Sequence, residues 1–368
     1  MAHCTEDANV EIFPEIDCLR GYPHPRHTNT LCGHITARAE LAEAIKNGDM
    51  HHAWLFTGRE GIGKATLAYK AAIFAFAKAS ERLQDLNVSH GIPALCQVQR
   101  LSHPGLFVIR RNFDFKKKRF PTVISIDEVR KLRDFLSHSY TEGHWRIVII
   151  DSADELNVSA ANALLKLLEE PPIQTVFFLI STNATRLLPT IRSRCRLLSL
   201  KPLNDEQLIT ASQSAFAHMR RDETNIASIS KKILEMAGGS PRRLLDIISK
   251  NGNEIANSVE HIYRSPSNLS FEFKHTLADR LASNQTLQDY ELFLALFFEK
   301  LAHSIKEAAF NQETSSNHSL EIKSHNLESW AELWETFQHE AREVKNLNLD
   351  RGAFILDILA RLEYAIQT

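Results

Sequence analysis

The sequence lacks several features that would place it in a specialised class of protein. It has no excess of charge of one sign, because 43 lysines and arginines stand against 45 aspartates and glutamates, a formal net charge of −2. Any contact with nucleic acid would therefore depend on a local basic patch. No apolar run approaches the roughly 20 residues of a membrane-spanning helix, and the start, MAHCTEDANVEIFPEID, is acidic rather than signal-like. We expect a soluble, cytoplasmic protein that does not contact a membrane.

Cysteine is also scarce. The five cysteines are odd in number and scattered without a CxxC pair, at Cys4, Cys18, Cys32, Cys96 and Cys195. This usage fits a reducing cytosol better than a disulfide framework. It also predicts no metal cluster.

The order of apolar patterns along the 368 residues predicts several domains. Residues 31–202 alternate short apolar runs with helical patterns, which is typical of a parallel α/β sheet. Five buried strands are predicted at 53–56, 106–109, 147–150, 176–180 and 196–200, and helices at 64–78, 127–138 and 159–170. Residues 203–250 and 251–368 read as helix only, including 290–305 and 330–367, whereas residues 1–30 form an N-terminal extension.

A glycine-rich loop directly follows the first strand. Residues 58–65, GREGIGKA, match the GxxxxGK pattern, in which glycines let backbone N–H groups surround phosphate oxygens and Lys64 reaches the β and γ positions. We therefore expect Gly58, Gly61, Gly63 and Lys64 to bind phosphate. The pattern ends in Ala65 where a hydroxyl would hold Mg²⁺, and Thr66 is rotated by about 100° around the helix.

A carboxylate ends the third predicted strand. Asp151 follows IVII, at the edge where open α/β sheets bind ligands, and could hold the Mg²⁺ of a nucleotide. It could also simply cap the following helix. The next residue is Ser152, whose hydroxyl cannot replace a carboxylate as a base, and Asp154 and Glu155 lie beyond the turn. Ala65 and Ser152 together therefore predict that metal-assisted hydrolysis is disabled at two positions of the site.

Two longer segments carry a resemblance to a known family. Residues 162–172, NALLKLLEEPP, and residues 190–195, TIRSRC, resemble bacterial clamp-loader subunits of the AAA+ family. The resemblance implies an α/β P-loop AAA+ domain with a five-stranded parallel sheet, then a small helical lid at 203–250 and an all-α collar at 251–368. It also implies partners: other clamp-loader subunits in a hetero-oligomeric ring, a sliding clamp and primer-template DNA.

The resemblance assigns roles to individual residues. It implies that Arg194, in the family's SRC sequence, acts in trans as an arginine finger on ATP bound by the neighbouring subunit. Asn183 and Arg242 stand where the family places its first and second sensors of the γ-phosphate. From the residues alone, Arg194 could be a surface arginine paired with a local carboxylate, Asn183 a turn former, and Arg242 a surface charge at a helix start.

The cofactor expectations follow from these motifs. ATP or ADP is possible at the degenerate loop, Mg²⁺ is doubtful because of Ala65 and Ser152, and weak or absent hydrolysis is expected. Family members commonly carry a four-cysteine zinc module, but Cys96 alone lies in the corresponding region, so no zinc is expected.

Several alternatives stay open. An autonomous ATPase would use Thr66 and Asp154 to recover metal and water positioning, and a small-molecule or nucleotide kinase would need a substrate lid between strands. The basic run at 110–119 could touch DNA or form a solvated loop. The apolar stripe around Phe293 and Phe297 could be an oligomer contact or helix-packing core.

Overall fold

A computed structural model describes residues 22–28, 30–113, 120–137, 145–217, 231–248, 250–283, 287–310 and 326–367. The chain divides into two compact units. Unit 1 comprises Met1–Ser228 and Gly239–Arg242, and unit 2 comprises Ile229–Gly238 and Arg243–Thr368. The predicted boundaries at 202 and 250 stay predictions. Most of the extension at 1–30 and residues 114–119 of the basic run lie outside the described residues.

Unit 1 is built on a fully parallel sheet. Its five strands lie in the order β2-β3-β4-β1-β5. Their bounds are Ala53–Thr57 for β1, Leu106–Ile109 for β2, Arg146–Ile150 for β3, Thr175–Ser181 for β4 and Arg196–Ser199 for β5. The five predicted strands are confirmed. β1 pairs with β4 on one side and β5 on the other, so the carboxyl ends of these strands meet at one edge.

Both faces of the sheet are covered because successive side chains of each strand point to opposite sides. Trp54 and Phe56 pack with α1 (Ile35–Asn47), α2 (Lys64–Phe76) and α3 (Pro93–Gln99). On the other face, Leu55 and Phe177 pack with three further helices, α4 (Ile126–Ser137), α5 (Val158–Glu169) and α6 (Pro189–Arg192). The helices predicted at 64–78, 127–138 and 159–170 are confirmed, and α5 ends just before the two prolines at 171–172. The helix α7 (Asp205–Ala217) follows the sheet.

The described part of unit 2 is helical. Its helices are α8 (Lys231–Ala237), α9 (Pro241–Ile248, whose first two residues belong to unit 1), α10 (Lys250–Arg264), α11 (Phe271–Ala282), α12 (Leu287–Phe310), α13 (Leu327–Leu347) and α14 (Arg351–Gln367). Phe293, Phe297 and Phe337 are fully buried, and the Tyr263 hydroxyl donates to the Phe297 carbonyl at 2.8 Å. The apolar stripe of α12 is therefore packed in the core of unit 2.

The stretch predicted as helical at 330–367 contains two helices. They are separated at Asn348, which adopts a left-handed conformation with φ of 54° at the end of α13. Asp350 then accepts hydrogen bonds from the backbone N–H groups of Gly352 and Ala353 and starts α14.

Candidate phosphate-binding site

The loop between β1 and α2 has the backbone of a phosphate cradle. Gly58, Gly61 and Gly63 have φ values of 142°, 73° and 104°, a region that side-chain-bearing residues rarely adopt. Space is also lacking, because a Cβ on Gly58 would lie 2.6 Å from the Leu200 carbonyl oxygen. On Gly61 it would lie 2.4 Å from the Cβ of Arg242. The sequence predicted that these three glycines bind phosphate, and the structure places them together at the start of α2.

Lys64 is the first residue of α2 and is buried within this loop. Its ammonium donates to the carbonyl oxygens of Gly58 and Arg59 at 2.7 and 2.6 Å. Burial lowers the pKa of Lys64 to about 8, although attraction to Glu60, and then to Asp151 and Asp154, opposes that shift. The loop therefore holds a buried cation, which is a preformed partner for phosphate oxygens.

The metal-binding position after Lys64 has no hydroxyl. Ala65 occupies that position, and the Thr66 side chain is buried one step further around α2, with 9% of the residue exposed. The described geometry thus supplies backbone and Lys64 groups for phosphates but no hydroxyl for Mg²⁺ at the motif position.

At the acidic edge of the sheet, the structure shows a sharp turn after Asp151 that the sequence did not indicate. Asp151 follows β3, and its backbone N–H donates to the Ile109 carbonyl at 2.8 Å. Ser152 has a left-handed backbone with φ of 64°, a conformation that turns the chain sharply. The turn brings Asp154 to the end of β4, where its carboxylate accepts from the Thr182 backbone N–H at 3.4 Å and hydroxyl at 3.0 Å.

Asp154 is therefore closer to the candidate site than its sequence spacing suggested. It attracts Lys64 together with Asp151, and Thr182 fixes its carboxylate. Glu155, in contrast, forms an ion pair with Arg111, with 2.6 Å between the Arg111 Nε and a carboxylate oxygen of Glu155. The sequence does not indicate Thr182 as a partner of Asp154, because the pairing joins segments that follow two different strands.

The segment Gly239–Arg242 of unit 1 lies against the phosphate loop. The Ser240 hydroxyl donates to the Glu60 carbonyl at 2.9 Å, and the Arg242 backbone N–H donates to the Gly61 carbonyl at 3.4 Å. The Arg242 guanidinium lies 3.6 Å from a carboxylate oxygen of Glu60. Arg242 thus lies against the loop, and its role as a sensor of the γ-phosphate stays a prediction. Its contact with Glu60 was not predicted.

His34 supports the other side of the loop and was missed by the sequence analysis. It precedes α1 with φ of 54°, and its Nε2 lies 2.8 Å from the Ile62 carbonyl, to which it donates. Burial lowers the pKa of His34, the bond to Ile62 raises it, and the charges of Arg38 and Lys64 lower it further. A neutral ring that donates through Nε2 satisfies this contact.

Asn183 follows β4 but is engaged in its own turn. Its side-chain oxygen accepts from the backbone N–H of Thr185 at 3.1 Å and from the Thr185 hydroxyl at 2.5 Å. It caps the short 3-10 helix Ala184–Arg186. The structure thus shows the turn-forming geometry that the sequence had left open beside a sensor role.

Arg194 lies between α6 and β5, and its guanidinium contacts residues outside the phosphate loop. It forms an ion pair with Glu169 at 2.8 Å and donates to the Thr190 carbonyl at 2.9 Å, and 36% of its side chain is exposed. Exposed ion pairs of this kind contribute roughly 0–1 kcal/mol. The guanidinium is therefore oriented by two contacts that a stronger anionic partner could replace at little cost.

The cysteines and possible metal ligands of the described residues indicate no further binding site. Within the described ranges there is no group of three or more His, Cys, Asp or Glu side chains that could hold a metal ion. Cys96 is half-buried on α3, and burial raises the pKa of Cys195 to about 12. The absence of zinc stays a prediction.

Among the residues that the structure describes, no helix combines the length and the apolar character of a membrane-spanning segment.

Comparisons with known proteins point to one group. Residues 33–204 match the model of a family described as DNA polymerase III, delta subunit. The chain is 35% identical over 194 residues to the DNA polymerase III subunit delta' of Pseudomonas aeruginosa, covering 52% of this chain and 53% of that protein. It is 29% identical over 203 residues to subunit delta' of Escherichia coli, covering 55% and 56%.

A subunit of another name is also similar. The chain is 28% identical over 241 residues to the DNA polymerase III subunit gamma of Buchnera aphidicola, covering 61% of each chain. The matches span less than two thirds of the length of these three relatives.

Proposed function

We propose that the chain is a member of the DNA polymerase III clamp-loader family of AAA+ proteins and acts in DNA replication as a delta-prime-type subunit. In this role it helps to place a sliding clamp on primer-template DNA, as one member of a hetero-oligomeric ring in the cytoplasm. It supplies Arg194 to the ATP of a neighbouring subunit and hydrolyses little or no ATP itself.

The observation that carries this proposal is the position of Arg194. The guanidinium is presented at the surface of unit 1, fixed by Glu169 and the Thr190 carbonyl. A planar guanidinium can bind two phosphate oxygens at once and stabilises the charge of a transferring γ-phosphate when a neighbouring protein supplies it. Exchange of the exposed Glu169 contact for a phosphate contact would cost little.

The chain's own site supports nucleotide binding better than hydrolysis. Gly58, Gly61 and Gly63 shape the cradle, and Lys64 places a buried cation in it. ATP or ADP would bind there through its phosphates, with Asn183 and Arg242 at the γ-phosphate end as the family resemblance implies. When bound, ATP would supply a transferable phosphoryl group.

Two positions oppose turnover of that nucleotide. Ala65 has no hydroxyl for Mg²⁺, which leaves Asp151 as the side chain to hold it. Ser152 has no carboxylate to act as a base, and its left-handed backbone differs from that of a regular strand end. Relatives named delta' and gamma both match the chain, and these two substitutions are why we favour the delta-prime type.

One observation favours a second candidate function, an autonomous ATPase. Asp154 is held at the carboxyl edge of the sheet by Thr182 and attracts Lys64, so it could help to position a metal ion or water. This function predicts that the purified chain turns over ATP at an ordinary rate and that Lys64→Ala removes the activity. Absence of such turnover would reject it.

The test of the proposed function is reconstitution with the motor subunits of the clamp loader. Arg194→Ala should reduce DNA-stimulated ATP hydrolysis and lower clamp loading by at least roughly tenfold, since an arginine finger contributes much of the rate at its site. The matched control is Arg192→Ala, which removes an exposed arginine from α6. Equal activity of the Arg194→Ala and native complexes would reject the trans role.

A further inference from the structure

The phosphate loop contains a carboxylate that its motif does not require. Glu60 occupies one of the variable positions of GxxxxGK, and 71% of its side chain is exposed. We propose, on the basis of the nucleotide site described under the proposed function, that Glu60 is an internal counter-ion that competes with nucleotide phosphates for Lys64 and Arg242. It thereby weakens the affinity of the loop for nucleoside di- and triphosphates.

The contact between Glu60 and Arg242 is built into the backbone around it. The Glu60 carbonyl accepts from the Ser240 hydroxyl, and the adjacent Gly61 carbonyl accepts from the Arg242 N–H. Gly61 has no room for a side chain on the Arg242 side. These contacts hold residues 239–242 against the loop, so that the Arg242 guanidinium remains within 3.6 Å of the Glu60 carboxylate.

Glu60 also lies next to the binding partner of the second cation, because the Lys64 ammonium donates to the carbonyl of the preceding residue, Arg59, at 2.6 Å. Glu60, Asp151 and Asp154 all attract Lys64. One carboxylate thus partly neutralises both cations that would attract phosphate oxygens. It also adds a negative charge beside an anionic ligand, and both effects oppose binding.

The exposure of Glu60 sets the size of the effect. Water screens an exposed ion pair, so the pair contributes little to the free energy of binding. Loss of the charge should therefore tighten binding by about 1.4- to fivefold rather than by orders of magnitude. Because the interaction is electrostatic and solvent-exposed, the gain should shrink at high salt.

The experiment measures equilibrium binding of fluorescently labelled ADP and ATP to the full-length chain. Glu60→Gln should tighten binding of both nucleotides by about 1.4- to fivefold at low salt. The gain should be smaller at a salt concentration of about 1 M, where charges are screened beyond ~3 Å. Glu60→Asp, which keeps the charge, should bind more weakly than Glu60→Gln. The matched control, Glu43→Gln, removes an exposed carboxylate from α1 and should leave the affinity unchanged.

Three results would overturn the counter-ion role: equal affinities of native protein and Glu60→Gln, equal tightening by Glu43→Gln, or no nucleotide binding by native protein and Glu60→Gln alike. Circular dichroism of each variant verifies that it is folded. The binding assay does not involve Arg194 or partner subunits. Either of the first two results, with a normal Arg194→Ala defect in the reconstituted complex, would reject only the role of Glu60. The third result would also reject nucleotide binding at this loop, but not the role of Arg194.

Discussion

Burial of a charged lysine in the phosphate loop should destabilise the chain itself. Lys64 is 5% exposed, and burial lowers its pKa from 10.5 to about 8 in spite of attraction to nearby carboxylates. At about 1.4 kcal/mol per pKa unit, this difference corresponds to about 3 kcal/mol by which folding disfavours the charged form. We therefore expect Lys64→Met to raise the free energy of unfolding at pH 7, although it removes the cation needed for phosphate.

The expected gain at pH 7 is about 1–3 kcal/mol. The lower value allows for loss of the two hydrogen bonds from Lys64 to the Gly58 and Arg59 carbonyls. Below pH 8 the lysine is charged in both the folded and the unfolded chain, so the penalty is fully present. As the pH rises from about 8 towards 10.5, the folded chain loses the proton first and the penalty is relieved.

Urea unfolding monitored by circular dichroism at pH 7 and 9.5 measures this difference. Between these pH values the native chain should gain about 2 kcal/mol relative to Lys64→Met. Lys70, whose pKa burial also lowers to about 8, is present in both proteins and cancels. Lys166→Met removes a lysine from the exposed face of α5 and is the matched control for loss of a lysine charge. If Lys64→Met is less stable at pH 7, with a gap independent of pH, the electrostatic reasoning is wrong.

Two further predictions concern the same loop. Gly61→Ala should weaken nucleotide binding and destabilise unit 1 by more than the roughly 1–2 kcal/mol of a left-handed alanine, since its Cβ would meet that of Arg242. Gly48→Ala is the control for thermal unfolding. Gly48 has φ of 71°, but no atom lies within 4 Å of an added Cβ, so this variant has the backbone strain without a steric clash. Ala65→Ser should tighten Mg²⁺-dependent nucleotide binding without ordinary ATP turnover, because Ser152 still supplies no base. Rapid turnover by Ala65→Ser would contradict this account.

The local parts of the fold could be predicted from the sequence. Strands such as β3 and β4 are apolar on both faces, and α5 combines a helical apolar stripe with two prolines after its end. The loop at 58–64 shows its glycines and lysine directly. These signals are short-range, because burial on both faces and left-handed φ values limit the residue types allowed at each position.

The pairings between distant segments could not be predicted. The contact of Glu60 with Arg242, that of Asp154 with Thr182 and that of Arg194 with Glu169 each join residues from different elements. Such polar contacts depend on how the elements pack and leave no periodic trace. The left-handed conformations of Ser152 and Asn348 could not be predicted either, because neither residue is a glycine, the residue type that adopts this conformation most readily.

The most direct test of the central claim is the DNA-stimulated ATPase rate of a reconstituted clamp loader that contains Arg194→Ala, compared with complexes containing native protein or Arg192→Ala. We predict a reduced rate for Arg194→Ala, with clamp loading lowered at least roughly tenfold, and near-native values for Arg192→Ala. An Arg194→Ala complex that hydrolyses ATP and loads clamps at the native rate would contradict the proposal that this chain supplies an arginine in trans.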